Sequence, residues 1–341
     1  MKKILLLIIS LFCLNCSSTF AIDEVIIVPT FSSKEQAQNR VWVGTFQLVW
    51  NDFMNEIVKK PIKFVDKNTK VVKQLNKQEF TADMLSEKDY YKKYGETSLA
   101  LKQEIETAIM EKFGERSEIL DKIDWTSNNR AYVVYAMLKK DFSFLKRFNQ
   151  LAISDFGPYE SKYFGINETS KAQLYSNVRV LFYDSPANYA VVLNTQSNDE
   201  VYLYRTNDNQ SFDKLYKKMK KQAKRYKGNQ NFVEGDKLKV PYLTFKKVLN
   251  YDFLCNRLIK NTNNLYLAKA LQSVDFDLNE AGVKLKSEAA LDVQFMSFMP
   301  RPVTEGRNFY FDNTFVIFLK EKNKEMPYFA ARINDIILFN K

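Results

Sequence analysis

The stretch Gln272-Ser273-Val274-Asp275-Phe276-Asp277-Leu278-Asn279-Glu280-Ala281-Gly282 decides how this chain is read. From Val274 to Leu278 apolar and acidic residues alternate, the period-two pattern of a strand with one face in a core. Further strands are expected around it: Leu238 to Phe245 before it, Phe309 to Leu319 and Tyr328 to Ile333 after it.

Moving outward, Arg130 to Met137 is a β-rich apolar run, expected to be buried on both faces. Val178 to Phe182, Tyr189 to Asn194 and Glu200 to Tyr204 form a group of short strands with turn residues between them. Residues 25–33 read as a short buried strand closed by a proline turn. Trp42, Phe46, Val49, Trp50, Phe53 and Ile57 recur at helical spacing and predict a helix with an apolar, aromatic face for the core. Residues 60–96 are polar and lysine-rich and read as short strands and loops. Leu101, Ile105, Ala108, Ile109 and Phe113 mark a second helix, with Gly114 as its stop. A third covers residues 211–227, where Phe212, Leu215, Met219 and Tyr226 form the apolar side. Its basic residues include Lys217, Lys218, Lys220, Lys221, Lys224 and Arg225, a surface that can attract a polyanion or an anionic surface at low salt. The bland alternative is a solvated face. With no internal repeat and no low-complexity linker, one α+β domain dominated by sheet is the simplest architecture.

Of the 341 residues, 51 are Lys or Arg and 40 are Asp or Glu, a formal net charge of +11. Lys2 and Lys3 precede the apolar run Ile4 to Leu14, and Thr19-Phe20-Ala21 ends in small residues suited to signal peptidase. Residues 1–21 are therefore expected to be a signal peptide and residues 22–341 the folded part, secreted or periplasmic. The alternative is lipidation of Cys16, which would anchor the protein to a membrane. Loss of the two lysines takes +11 to +9 and leaves Cys255 alone, so no intramolecular disulfide is expected. The chain has no histidine, which removes the usual general base and every His-containing triad or metal site. Nor does it contain Gly-x-Ser-x-Gly, a Walker loop or a metal-spaced Cys pair, and no spacing singles out a catalytic pair of carboxylates. The expectation is a protein that is not an enzyme, needs no cofactor or metal and binds no nucleic acid.

The quoted stretch resembles the serpin strand that runs into the reactive-loop hinge. Phe311 to Leu319 resembles the serpin segment after the loop, and Tyr328-Phe329-Ala330-Ala331-Arg332-Ile333-Asn334-Asp335 the last buried strand. In the same order, Thr126 to Phe142 resembles the central strand after the covering helix, Val178 to Leu193 the strand pair before the basic helix, and Leu238 to Phe245 a later strand. The match spans most of residues 100–341, while residues 22–99 are short and poorly matched. The resemblance implies a divergent bacterial serpin-like domain, favoured as a monomer: one large central sheet, further sheets, covering helices and a reduced set of peripheral helices. It implies a reactive-loop region at residues 283–308 and a hinge at Glu280, Gly282, Val283, Leu285, Ser287 and Ala289.

By that resemblance an extracellular or periplasmic serine protease cleaves the loop, which then inserts as a new strand. Insertion needs alternate side chains acceptable to a core. Val283, Leu285, Ser287, Ala289, Leu291 and Val293 form an inner face without charge, and Lys284, Lys286, Glu288, Ala290, Asp292 and Gln294 the other. The family's loop register places the bait bond at Met296-Ser297, an apolar bait suited to chymotrypsin-like or elastase-like enzymes. Leu285 is bulky for the family, and Tyr135 and Gln272 stand where inhibitory members carry an Asn and a His that control sheet opening. The alternatives are a serpin-fold binding or structural protein of the cell envelope that does not inhibit, and an unrelated β-rich module.

Overall fold

The computed structural model describes residues 25–35, 37–67, 69–117, 119–126, 131–284 and 306–340. The proposed signal peptide, Cys16 and the loop residues Leu285, Ser287, Ala289, Met296 and Ser297 lie outside them. In chain order the strands and α-helices are β1 (Ile26–Ile27), β2 (Arg40–Val43), α1 (Thr45–Asp52), α2 (Lys70–Leu75), β3 (Tyr90–Glu96), α3 (Leu99–Phe113), β4 (Ala131–Leu138), β5 (Asp141–Ser143), β6 (Asn149–Phe156) and β7 (Tyr159–Ile166). They continue with β8 (Val178–Ser185), β9 (Asn188–Asn194), β10 (Asp199–Arg205), α4 (Phe212–Arg225), β11 (Lys237–Pro241), β12 (Leu243–Asn250), β13 (Tyr266–Leu278), β14 (Gly282–Lys284), β15 (Asn308–Tyr310), β16 (Phe315–Glu321) and β17 (Phe329–Ile333).

Three sheets carry the fold. The largest has seven strands in the order β1-β2-β17-β16-β10-β9-β8, and a second has four, β15-β11-β7-β6. The third has six: β3-β4-β13-β14-β5, with β12 also paired to β13. This is the α+β class expected from the sequence, with the hinge residues Gly282 and Val283 in the six-stranded sheet.

β4 shows how that sheet is covered on both faces. It is buried along nearly its whole length, as the apolar run requires. Val134 and Ala136 meet Phe46, Val49, Trp50 and Phe53 on one face. Val133, Tyr135 and Met137 meet Leu101, Ile105 and Ile109 of α3 on the other. α3 is bounded as its sequence indicates: the Ser98 side chain accepts from the Leu101 N–H, and Gly114, at φ +66°, donates to the Met110 carbonyl.

Four elements differ from expectation. Trp42 belongs to β2, and the helix begins only at Thr45, because Gly44 donates to the Tyr328 carbonyl and the strand ends there. The remaining positions continue through α1 into a π-helical turn, Phe53–Val58. Leu238 to Phe245 forms two strands in different sheets, since Pro241 ends β11 and cannot donate to a ladder. Phe309 to Leu319 likewise divides into β15 and β16. Residues 60–96 include α2, capped by the Thr69 side chain accepting from Val72.

Candidate functional site: a three-residue wedge in the six-stranded sheet

β4 and β13 run parallel and bond directly from Ala131 and Tyr266 to Ala136 and Gln272. Past that seam β13 continues to Leu278, while the other chain passes through Lys139-Lys140 into β5. The quoted stretch then turns back and places β14 between them. Val283 pairs with Leu278 on one side and with Phe142 on the other. Gly282 faces Ser143, and Lys284 pairs with Asp277 and Asp141.

Three features seat this wedge. Asn279 closes the turn, its side-chain oxygen accepting from the Ala281 and Gly282 N–H groups at 2.9 and 3.3 Å. Gly282 lies so close to the next strand that a Cβ would fall 2.1 Å from the Phe142 carbonyl oxygen, leaving room for glycine alone. Val283 is fully buried, which fits its place on the uncharged inner face.

Glu280 anchors the turn from below. It is 4% exposed and accepts from Arg147, from Gln150 at 3.2 Å and from the Tyr242 hydroxyl at 2.5 Å. Its backbone carbonyl takes the Phe148 N–H at 2.9 Å. Burial alone would raise its pKa, but the hydrogen bonds from Tyr242 and Arg147 outweigh it and hold the carboxyl below 4.5. Sequence reasoning found Glu280 and missed Arg147 and Tyr242, which lie 133 and 38 residues away. A hydrogen bond to a charged group contributes about 1.5–3 kcal/mol, so Tyr242→Phe is expected to cost that much in urea unfolding at pH 7. A carboxyl whose folded pKa is depressed stabilises above its unfolded value and loses this as pH falls through the folded one. The gap between wild type and variant should therefore narrow below about pH 4.5.

The strand junction beside the wedge holds a second charged group. The Lys140 ammonium is buried and meets Asp89, Asp199 and Glu321 at 2.7, 2.9 and 2.7 Å, 4.9 Å above the Tyr328 ring. Tyr328 donates to Asp199 at 3.0 Å, and Ser86 gives Glu321 its N–H and its hydroxyl at 3.0 and 2.7 Å. Burial would lower the lysine's pKa, yet the carboxylates, Asp199 foremost, raise it. Burial would raise that of Glu321, yet Lys140 and Ser86 lower it. The cluster ties the wedge sheet to β10 and β16 of the seven-stranded sheet.

The residues matched to the family's gate do not meet. Tyr135 lies opposite Leu271, among the residues under α3, and burial pushes its pKa up to about 12. Gln272 lies opposite Ala136 and works on the other face. It accepts from the Tyr251 hydroxyl at 2.8 Å and donates to the Val43 carbonyl at 3.2 Å and the Thr45 hydroxyl at 3.3 Å. It thus pins β13 to the start of α1, and neighbouring strands place the two side chains on opposite faces.

The basic helix is elsewhere. α4 lays Phe212, Leu215 and Met219 in the core cluster that includes the seven-stranded sheet. Lys217, Lys218, Lys220, Lys221, Lys224 and Arg225 are all exposed, with Lys217 near Asp213 at 3.5 Å and Lys218 paired to Asp208 at 2.9 Å.

No family model matches the chain, and neither does any curated protein. Among solved structures, thyroxine-binding globulin in complex with thyroxine is similar at 13% identity over 70% of this chain and 65% of its own, with a TM-score of 0.45. A serpin of the insect Tenebrio molitor is similar at 14% identity over 86% and 74%, TM-score 0.41, and one from the trematode Schistosoma haematobium at 13% over 69% and 63%, TM-score 0.42. The chain thus spans slightly less than two thirds of the length of the first and third. The second and third of these solved structures are serpins by name.

Proposed function

We propose that the protein is an exported serpin-like bait for a serine protease, whose cleaved loop enters the six-stranded sheet behind the wedge. One observation carries this reading: the register of β14. Its two ladders, Val283 with Leu278 and with Phe142, point at the existing seam. Continued residue by residue, both would set Ala289 between Gln272 and Ala136, and Asp292 between Lys269 and Val133. Those pairs now bond directly to each other. A strand entering there would exchange one set of backbone hydrogen bonds for two, which supplies the driving force for a kinetically held native state.

The reading carries a cost. Inner-face residues such as Ala289 would arrive where Ala136 and Gln272 already sit in a core. The opposite face would arrive beneath α3, where Val133, Tyr135 and Leu271 pack against Leu101, Ile105 and Ile109. α3 must therefore lift or slide before Ala290 and Asp292 can enter. This cover favours the second reading, a binding protein of the same fold whose loop is cut without insertion.

Incubation of the mature protein with chymotrypsin or elastase separates them. Insertion gives a covalent complex that survives denaturing gels, and a cleaved form that melts well above the intact one. Cleavage within residues 285–305 with neither result removes the inhibitory reading.

A further inference from the structure

Two segments meet at the end of the molecule where β13 begins. Residues 59–67 follow the π-helical turn, and residues 252–264 lead into β13, with the Ile259 N–H donating to the Leu265 carbonyl at 2.8 Å. Phe64 forms an antiparallel bridge with Ile259. On either side of it the Val65 N–H donates to the Leu258 carbonyl at 2.9 Å, and the Lys260 N–H to the Lys63 carbonyl at 2.7 Å. The wedge lies at the other end of β13, about 40 Å away over its 13 residues.

Alternation gives this short ribbon two faces. Phe64 and Ile259 turn inward, almost fully buried, and join the cluster around Phe46, Trp50 and Phe53. Lys63, Val65, Leu258 and Lys260 turn outward, so an apolar pair and a lysine pair lie side by side on the exposed face. Val65 is 60% exposed and Leu258 45%, and Phe253, whose carbonyl accepts from Arg257 at 3.1 Å, is 42% exposed. Two lysines opposite each other in a ladder repel. The two segments carry six basic residues and only two acids. Both acids are engaged, Asp66 by Arg257 at 2.7 Å and Asp252 by Lys269 at 3.8 Å. Lys59, Lys60, Lys63, Lys67 and Lys260 are exposed, and among the described residues no ion pair neutralises them. The face thus joins uncompensated positive charge to exposed apolar side chains.

We infer that this face docks the protein on an anionic lipid surface. Val65, Leu258 and Phe253 enter the boundary between headgroups and acyl chains, while Lys60, Lys63, Lys67 and Lys260 take the headgroup phosphates. Charge complementarity selects this occupant. A second copy of the chain would bring the same excess of lysines against the first, and a soluble polyanion would have no use for the three apolar side chains. Docking here leaves the wedge, at the far end of β13, outside the contact.

The test uses the chain from Ile22 onward, which keeps every described residue and lacks the apolar run Ile4 to Leu14. Co-sedimentation at physiological ionic strength compares vesicles of phosphatidylcholine with vesicles in which about one third is phosphatidylglycerol. Binding to the second is expected to be at least tenfold tighter. Each lysine near such a surface contributes about fivefold, so Lys63→Gln combined with Lys260→Gln should weaken binding at least tenfold. Val65→Ser combined with Leu258→Ser should weaken it at least fivefold. Lys221→Gln combined with Lys224→Gln, on the exposed side of α4, should stay within twofold of wild type. Binding that survives the Lys63 and Lys260 substitutions, or that falls only with those on α4, would overturn the proposal. Binding lost with the lysines yet untouched by the two serines would also overturn it, and would mark the face as a site for soluble polyanions.

Discussion

Lys140→Met is expected to destabilise the protein by about 3–5 kcal/mol at pH 7, the cost of leaving a buried charge without its partner. Here the remaining charges are three carboxylates, Asp89, Asp199 and Glu321, which now share one ammonium within 3 Å. Methionine fills much of the lysine's volume, so the loss is electrostatic and not that of a cavity. Urea unfolding followed by far-UV circular dichroism reads it directly. Adding Glu321→Gln to the methionine variant should restore part of the loss, because one of the stranded charges is gone.

The pH dependence distinguishes this account from a packing defect. In the wild type, Glu321 has a folded pKa below 4.5, so its contribution is present above that value and lost as pH falls through the folded one. Without the ammonium the carboxylates repel one another in a buried site, and their folded pKa values move up. The variant then regains stability on acidification while the wild type loses it, and the gap closes between about pH 7 and pH 4. A gap that stays constant across this range would show that Lys140 acts by shape alone.

Why this cluster was not legible in the sequence is instructive. Lys140 and Glu321 each flank an apolar strand, the usual place for a solvated charge, and 181 residues separate them. No local pattern marks such a pair; only the stacking of two sheets brings it together. The opposite holds for β4, α3 and α4, where apolar spacing, a serine cap or a glycine stop is a local cause that tertiary packing leaves in place. Trp42 shows the intermediate case. Its four-residue offset from Phe46 fits a helix, but Gly44 between them is tied to Tyr328, and that distant bond makes Trp42 a strand residue. At the candidate site, Asn279, Glu280 and Gly282 are close in sequence, so the turn they build has a local cause. Arg147, Tyr242 and the cover of α3 have none, since they depend on which strands become neighbours.

Gly282→Ala is expected to unseat the wedge while leaving the rest of the sheet intact. The added methyl would lie 2.1 Å from the Phe142 carbonyl oxygen and 2.8 Å from the Ser143 Cα, both backbone atoms that no rotamer change can move aside. β5 would have to draw back, or β14 would have to leave. Leaving breaks only three pairs of ladder with β5 and two with β13, whereas the seam between β4 and β13 and the anchor at Glu280 lie outside the clash. Overpacking of this kind costs about 1–3 kcal/mol, which corresponds to roughly a five- to hundredfold loss of hydrogen-exchange protection at the amides of β14. Amides of β4 and β13 along the seam should keep theirs. In the proposed bait mechanism β14 guides the loop toward Ala136 and Gln272, and on that proposal the variant should also be cut by chymotrypsin without a rise in melting temperature. Unchanged protection at β14 would mean that β5 yields easily, and the wedge would then owe nothing to glycine at this position.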